Sequence, residues 1–365
     1  MSKKNKPAPG QLLLLEYQLG SWMEAANPQS QPNQSQSKRM TDSVVSVYVG
    51  ITFDPCQGIR EAKDGCRKSL VPLEVVFDCR PLELAPDYAS GSKVFFEPDE
   101  QYLIGRGGLL NIAVFVNLLR CYNTLREWSD ERKETGIQPI RCFNFIPPDP
   151  KTSVGRLWEV LGMPNLTTNL LKNEPDSGVM EFQSRYVAPL LYVNSSNRNR
   201  VLPCYQNWLN EISDRLGEEM VDKLWPAVPE IVRNLVNYGH EGFFGMSVWP
   251  SGQVELNWSN PVGKVPDWPP DNTVEDLTAV DLANILLSRK GGGMAYIYDE
   301  LLPPYKGVLI VNWQTHHLIF RSVRGDFSIM GLKPRSNAYV PKSILFTMHL
   351  FCSEIRDRSS KNARN

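Results

Sequence analysis

Two rhythms of apolar positions alternate along this chain. Short runs of β-branched and aromatic residues mark strands, and longer stretches with apolar residues every three to four positions mark helices. SVVSVYVGI (43–51), LEVVFDCR (73–80) and IRCFNFIPP (140–148) read as strands, the last stopped by its prolines. Between the second and third lies GGLLNIAVFVNLLRCYNTLREWSDERKETG (107–136), a long helix ended by Gly136. TSVGRLWEVLGM (152–163) is a short helix with Leu157, Val160 and Leu161 turned inward. Strands separated by helices in this way imply an α/β layer with crossover connections.

After a polar connection at 164–180 the pattern changes. RYVAPLLYVNS (185–195) is strand-like. Residues 201–239 read as two helices, broken near Pro226 and Pro229 because proline removes a helical donor and clashes with the preceding turn. GFFGMSVWP (242–250) and QVELNWSNP (253–261) form a hairpin across Ser251-Gly252. Residues 306–322 give two further strands and KSILFTMHLFC (342–352) a last one, with a helix after the triple glycine at 291–293. The second half is therefore antiparallel, and the fold class of the whole is α/β of the α+β kind.

Composition narrows the partners. The 365 residues suit two domains, and a net charge of −1 gives no bulk attraction to nucleic acid or an anionic membrane. Seven cysteines, an odd count with no C-x-x-C pair, argue against a disulfide framework and a zinc knuckle. They read as reduced thiols of a cytoplasmic protein. Four histidines, two of them the adjacent His316 and His317, are too few for a histidine-built metal site. No apolar run is long enough to span a membrane, since the best (108–119) is short and contains asparagines. The N-terminus, with Lys3, Lys4 and Lys6 before four leucines, only faintly resembles a signal peptide, because Glu16 interrupts its apolar core.

Residues 27–43 are rich in Gln, Ser, Asn and Pro and read as a linker. They tether the segment 11–25, which holds Leu12–Leu15, Tyr17, Leu19, Trp22 and Met23. Such a segment either docks, on its own protein or on a partner, or is a disordered end with chance leucines. The chain thus divides into a tethered segment (1–43), a first domain (44–170), a second (171–355) and a polar tail (356–365).

The sharpest chemistry sits in EIVRNLVNYGH (230–240). At about 100° per residue, Glu230, Asn234 and Asn237 share a narrow stripe, with Glu241 extending it if the helix runs on. Ile231, Val232, Leu235, Val236 and Tyr238 take the other side. A solvated helix face gives the same pattern. Some fifty residues on, Arg289 and Lys290 precede Gly291, Gly292 and Gly293. A glycine loop entering a helix offers free N–H groups to phosphate, although glycine triplets also serve as plain loops.

Glu-x-x-x-Asn on a helix, then a hairpin, then a glycine loop and an antiparallel pair resemble the GHKL superfamily of histidine-kinase, gyrase, Hsp-type chaperone and mismatch-repair ATPases. The resemblance covers about residues 185–352. It implies a two-layer sandwich of the Bergerat type that binds ATP and magnesium. Asn234 would be the magnesium ligand, Glu230 would activate the attacking water, Lys290 and Gly291, Gly292 and Gly293 would wrap the phosphates, and 264–290 would be a mobile lid. The family's adenine-binding Asp is replaced here by Asn260, whose carbonyl can still accept from an adenine amine; Asn260-Pro261 is otherwise a plain turn. Residues 44–170 resemble STAS-like domains in the order strand, long helix, strand and short helix with its LWEVLGM turn, but GRGGLLN stands where the phosphoacceptor serine belongs. No histidine occurs in 45–229, which argues against an autophosphorylating kinase. The resemblances together imply a bacterial regulatory protein with protein partners, an ATP-binding switch that hydrolyses slowly. The alternatives are a GHKL-fold scaffold without turnover and an anti-sigma-factor-like serine kinase; homo-oligomerisation stays open.

Overall fold

A computed structural model describes residues 44–50, 53–68, 73–84, 112–168, 180–182, 185–239, 241–248, 253–260, 278, 281, 283, 286, 293–313, 316–323, 326–332 and 343–351. The protein is of mixed α/β class, built on a small parallel sheet and a large antiparallel one.

The small sheet contains β1 (Val44–Tyr48), β2 (Glu74–Asp78) and β3 (Cys142–Ile146) in that order, all parallel. Parallel neighbours need crossovers, and α1 (Pro55–Lys68) and α2 (Ala113–Glu134) supply them. Both crossovers step in the same direction, so right-handedness puts both helices on one face, and they pack against each other there. The sequence reading passed over α1, whose apolar residues Ile59, Ala62 and Cys66 are its buried ones among Gln, Lys, Asp and Arg. After β3 come α3 (Ser153–Val160), capped by the Thr152 hydroxyl accepting from Gly155 N at 3.0 Å, and the short α4 (Met163–Thr168). In α3, Leu157 and Leu161 are buried as expected, Val160 only partly, and Trp158 joins them.

The large sheet runs β11-β10-β9-β12-β8-β7-β5-β4, with β6 also on β7. Its strands are β4 (Met180–Phe182), β5 (Arg185–Val187), β6 (Leu191–Asn194), β7 (Glu241–Val248), β8 (Gln253–Asn260), β9 (Val308–Trp313), β10 (His316–Val323), β11 (Asp326–Leu332) and β12 (Ile344–Phe351). The expected hairpin is the β7–β8 pair and the expected antiparallel pair is β9–β10. The expected single strand at 185–195 is two. Tyr186 pairs with Val248 but Leu191 with Phe244, so the register gains one residue at Ala188–Leu190, a bulge where Pro189 has no N–H to give. Two strands are unread in the sequence: β4, which pairs with β5, and β11, which pairs outside β10.

The helices α5 (Arg198–Glu211), α6 (Ser213–Leu216) and α7 (Glu218–Gly239) follow β6. The break expected at Pro226 and Pro229 lies instead at Gly217, whose φ of 82° ends α6. The prolines remove the N–H partners of the Asp222 and Trp225 carbonyls. Both of those residues are exposed, so water can satisfy the carbonyls and the helix continues.

Each face of the large sheet has its own core. Val254, Leu256 and Trp258 of β8 point toward α5 and α7, in a cluster with Trp208, Leu224, Ile231 and Leu235. Phe243 and Leu345, on the opposite face, join the cluster that holds α2 and the parallel sheet. Helix α2 is sandwiched between the two sheets, which explains why Val114, Phe115, Leu118, Arg120 and Tyr122 are all buried although they surround its axis. Among the described residues no helix is long and apolar enough to cross a membrane.

Candidate functional site

Helix α7 carries the stripe. Its apolar side, Val228, Ile231, Val232, Leu235 and Val236, is buried against the sheet, which leaves Glu230 and Asn234 half-buried and Asn237 exposed. Glu230 is ion-paired to Arg233 one turn on. The side chain of Tyr238 lies outside the described residues.

Asn260 ends β8, opposite Ile344 of β12, and is 5% exposed. Strand alternation puts it on the face of Val254, Leu256 and Trp258, the side that bears α7. The helix and the strand meet closely at this end. A side chain at Gly242 would place its Cβ 2.5 Å from the Ser259 carbonyl and 2.6 Å from Leu235 Cδ2. Only glycine lets the last turns of α7 approach β7 and β8 this closely, one residue from Asn234 on the helix and one from Asn260 on the strand.

Gly293 opens a helical turn, α8 (Gly293–Tyr296), which runs directly into a π-helical turn at Ile297–Leu301. This segment is clamped onto α7. Tyr296 donates its hydroxyl to the Lys223 carbonyl at 3.0 Å, and Lys223 Nζ lies 2.7 Å from Glu300 Oε2. Lys290, Gly291 and Gly292 fall outside the described residues, as do 264–277 and most of 278–290.

The other face of the same strands carries a polar network that sequence reasoning missed. Gln253, Glu255, Asn257 and Ser259 alternate along β8, and all are buried. Glu255 accepts from the Ile112 amide at 3.2 Å, from Ser247 Oγ at 3.0 Å and from Asn257 Nδ2 at 2.6 Å, and Thr347 Oγ1 donates to Asn257 Oδ1 at 2.8 Å. His349 stands directly across from Glu255, and its Nδ1 lies 2.9 Å from Gln253 Nε2. The signal was present in QVELNWSN, whose polar residues keep a strict period of two; the alternation reads as a solvent-facing side until a helix is known to cover it.

Arg120 of α2 completes this layer. Nε donates to Ser343 Oγ at 2.8 Å, Nη2 to the Ser343 carbonyl at 2.7 Å and to the Asn312 carbonyl at 3.5 Å, and Nη1 to Asn117 Oδ1 at 2.8 Å. Every one of these acceptors is neutral. Burial pushes the guanidinium down to about 10. Arg120, Asn123, Thr124, Glu127, Ser259 and Ser343 line a small polar recess, on the opposite face of β8 from Asn260.

Burial likewise holds the His349 imidazole below its ordinary value, and Glu255 opposes this only in part. The neutral ring is the folded form. Its contribution to stability is complete above the unfolded value of about 6.5 and is lost as pH falls toward the lower folded value, because the unfolded chain binds the proton first. The groups facing the ring are Glu255 and Gln253 on β8 and Val308 on β9. The urea midpoint is expected to fall between pH 7.5 and 5.5, and His349→Leu to fall less over that interval. An equal fall in both proteins would remove His349 as the cause.

Among the described residues no group of three His, Cys, Asp or Glu side chains could hold a metal ion. No protein-family model matches this chain, and neither does any curated protein or solved structure.

Proposed function

We propose that this protein is an ATP-binding regulatory protein of the GHKL type, in which magnesium and nucleotide bind on the α7 side of the large sheet. The observation that carries the reading is the close approach of α7, at Leu235, to Gly242 and Ser259 of β7 and β8, Leu235 and Ser259 being the chain neighbours of Asn234 and Asn260, with the segment opened by Gly293 held to the same helix at Lys223. The hairpin between the two motifs and the antiparallel pair after them support it further.

The donors present suit the group. Magnesium bound with a nucleotide takes few protein ligands and fills its shell with phosphate oxygens and water. One amide oxygen from Asn234 meets that need without a carboxylate cluster. Asn260, buried among apolar side chains at the strand end, offers a carbonyl acceptor and an amide donor, where an Asp would offer acceptors alone. Lys290, Gly291, Gly292 and Gly293 are the proposed phosphate cradle. Glu230 is the proposed general base, and its pairing with Arg233 must open for it to take a proton from water.

The parallel-sheet unit is read as STAS-like and as the surface for protein partners. Its strand, long helix, strand and short helix follow in that order. Helix α2 touches both sheets, so the two units are mechanically connected.

The test is a calorimetric titration of the full chain with ATP, in magnesium and again in excess EDTA. Saturable binding that magnesium strengthens is expected. Absence of binding in both buffers would instead leave a GHKL-fold scaffold whose site the Asn at 260 has disabled.

A further inference from the structure

Parallel sheets bury both faces, because their crossovers cover them. Among the described residues, α1 and α2 cover one face of the three-stranded sheet. On that face Val45, Val75 and Phe143 are in register, as are Val47, Phe77 and Phe145, and all belong to or pack against the core. The other face carries three rows: Val44, Glu74 and Cys142; Ser46, Val76 and Asn144; and Tyr48, Asp78 and Ile146. Val44 is 44% exposed and Tyr48 64%, the two highest values among the large apolar side chains of the parallel sheet. The polar members satisfy one another or a neighbour: Asn144 donates to Glu74, and Asp78 Oδ2 holds Arg80 Nη2 at 2.6 Å. What remains without a polar role is Val44, Tyr48, Val76 and Ile146.

We propose that residues 11–25, with Leu12–Leu15, Tyr17, Leu19, Trp22 and Met23, lie across this face of the same chain. The described chain starts on the face itself. Its first residue, Val44, is itself part of the face, and 43 residues precede it. The linker 27–43, rich in Gln, Ser and Asn, has a root-mean-square span of about 23 Å. The face measures about 17 Å along the strands and about 10 Å across them. A linker longer than the distance it must cover, but not by much, holds the segment at an effective concentration of about millimolar. A second copy of the chain does not have that advantage. The segment has only Glu16 and Glu24 as charges, so most of its surface gains from leaving water. This inference does not depend on nucleotide binding.

The experiment uses the full chain with a benzophenone amino acid in place of Tyr48, and separately in place of the exposed Ser46, so that one position reports if the other disturbs the fold. Irradiation is expected to give a monomeric product cross-linked to residues 12–23. Leu13→Asp together with Leu14→Asp, outside the folded core, is expected to reduce that product at least tenfold. A cross-link confined to dimers would assign the face to a second copy and overturn the proposal. Monomer products that map elsewhere at both label positions would overturn it too.

Discussion

Glu230→Gln is expected to lower phosphate release by about 10²–10⁴-fold, the usual contribution of a positioned general base, while ATP affinity stays within a few-fold of wild type. Glu230 is half-buried on the polar side of α7, one turn before Asn234, and its carboxylate is paired with Arg233. Glutamine keeps the length and can still hydrogen-bond Arg233, so the helix surface should survive. An exposed i,i+3 pair of this kind contributes only about 0–1 kcal/mol, so the loss of its charge does not threaten the fold. Glutamine cannot accept a proton at neutral pH. A variant that binds ATP but no longer turns it over would accumulate in the nucleotide-bound state, and any partner that prefers that state would be retained longer. Malachite-green phosphate release against calorimetric affinity, in both proteins, separates the two quantities. Equal release rates would remove Glu230 from the chemistry.

Arg120→Met is expected to destabilise the protein by about 3–5 kcal/mol, the cost of leaving several buried neutral acceptors without their donor. Methionine fills much of the volume but supplies no donor. The Ser343 carbonyl and hydroxyl and Asn117 Oδ1 would then be buried without the bonds they now make, and each such loss costs about 1–3 kcal/mol. The effect should exceed that of an ordinary core substitution, because Arg120 links α2 to Ser343, at the start of β12, and to β9 and so fastens the parallel unit to the large sheet. Chemical denaturation followed by far-UV circular dichroism measures it. A loss below about 1 kcal/mol would mean that water replaces the guanidinium freely, and that the layer between the sheets is wet.

The fold was legible wherever the pattern carried a single period. Strands such as EVVFD, with β-branched and aromatic residues, and the amphipathic helix through EIVRNLV lie where periodicity puts them. The errors have particular causes. Pro226 and Pro229 are helix breakers in general, but here they free only carbonyls that face solvent. Pro189 interrupts a strand whose apolar pattern is continuous, because a bulge adds one residue and leaves no mark in that pattern. Gly217, the real helix stop, was hidden among charged residues on both sides. The candidate residues are residue types at a spacing, so Glu230, Asn234 and Asn260 are named from the sequence, and the structure adds their places on α7 and at the end of β8. The layer under α2 was not. A strand with Gln253, Glu255, Asn257 and Ser259 on one side looks wetted in the sequence, and only the long-range packing of α2 onto β8 makes that side interior.

The claim that matters most is that Asn234 holds the magnesium of a bound nucleotide, and one titration reaches it. Wild type and Asn234→Ala are titrated with ATP at saturating magnesium, and their thermal unfolding is recorded alongside to establish that both are folded. Asn234 is half-buried on a helix surface, and alanine is the better helix former, so the variant should be at least as stable. Saturable binding by wild type and its loss in folded Asn234→Ala are expected. Equal affinities in the two proteins would contradict that claim.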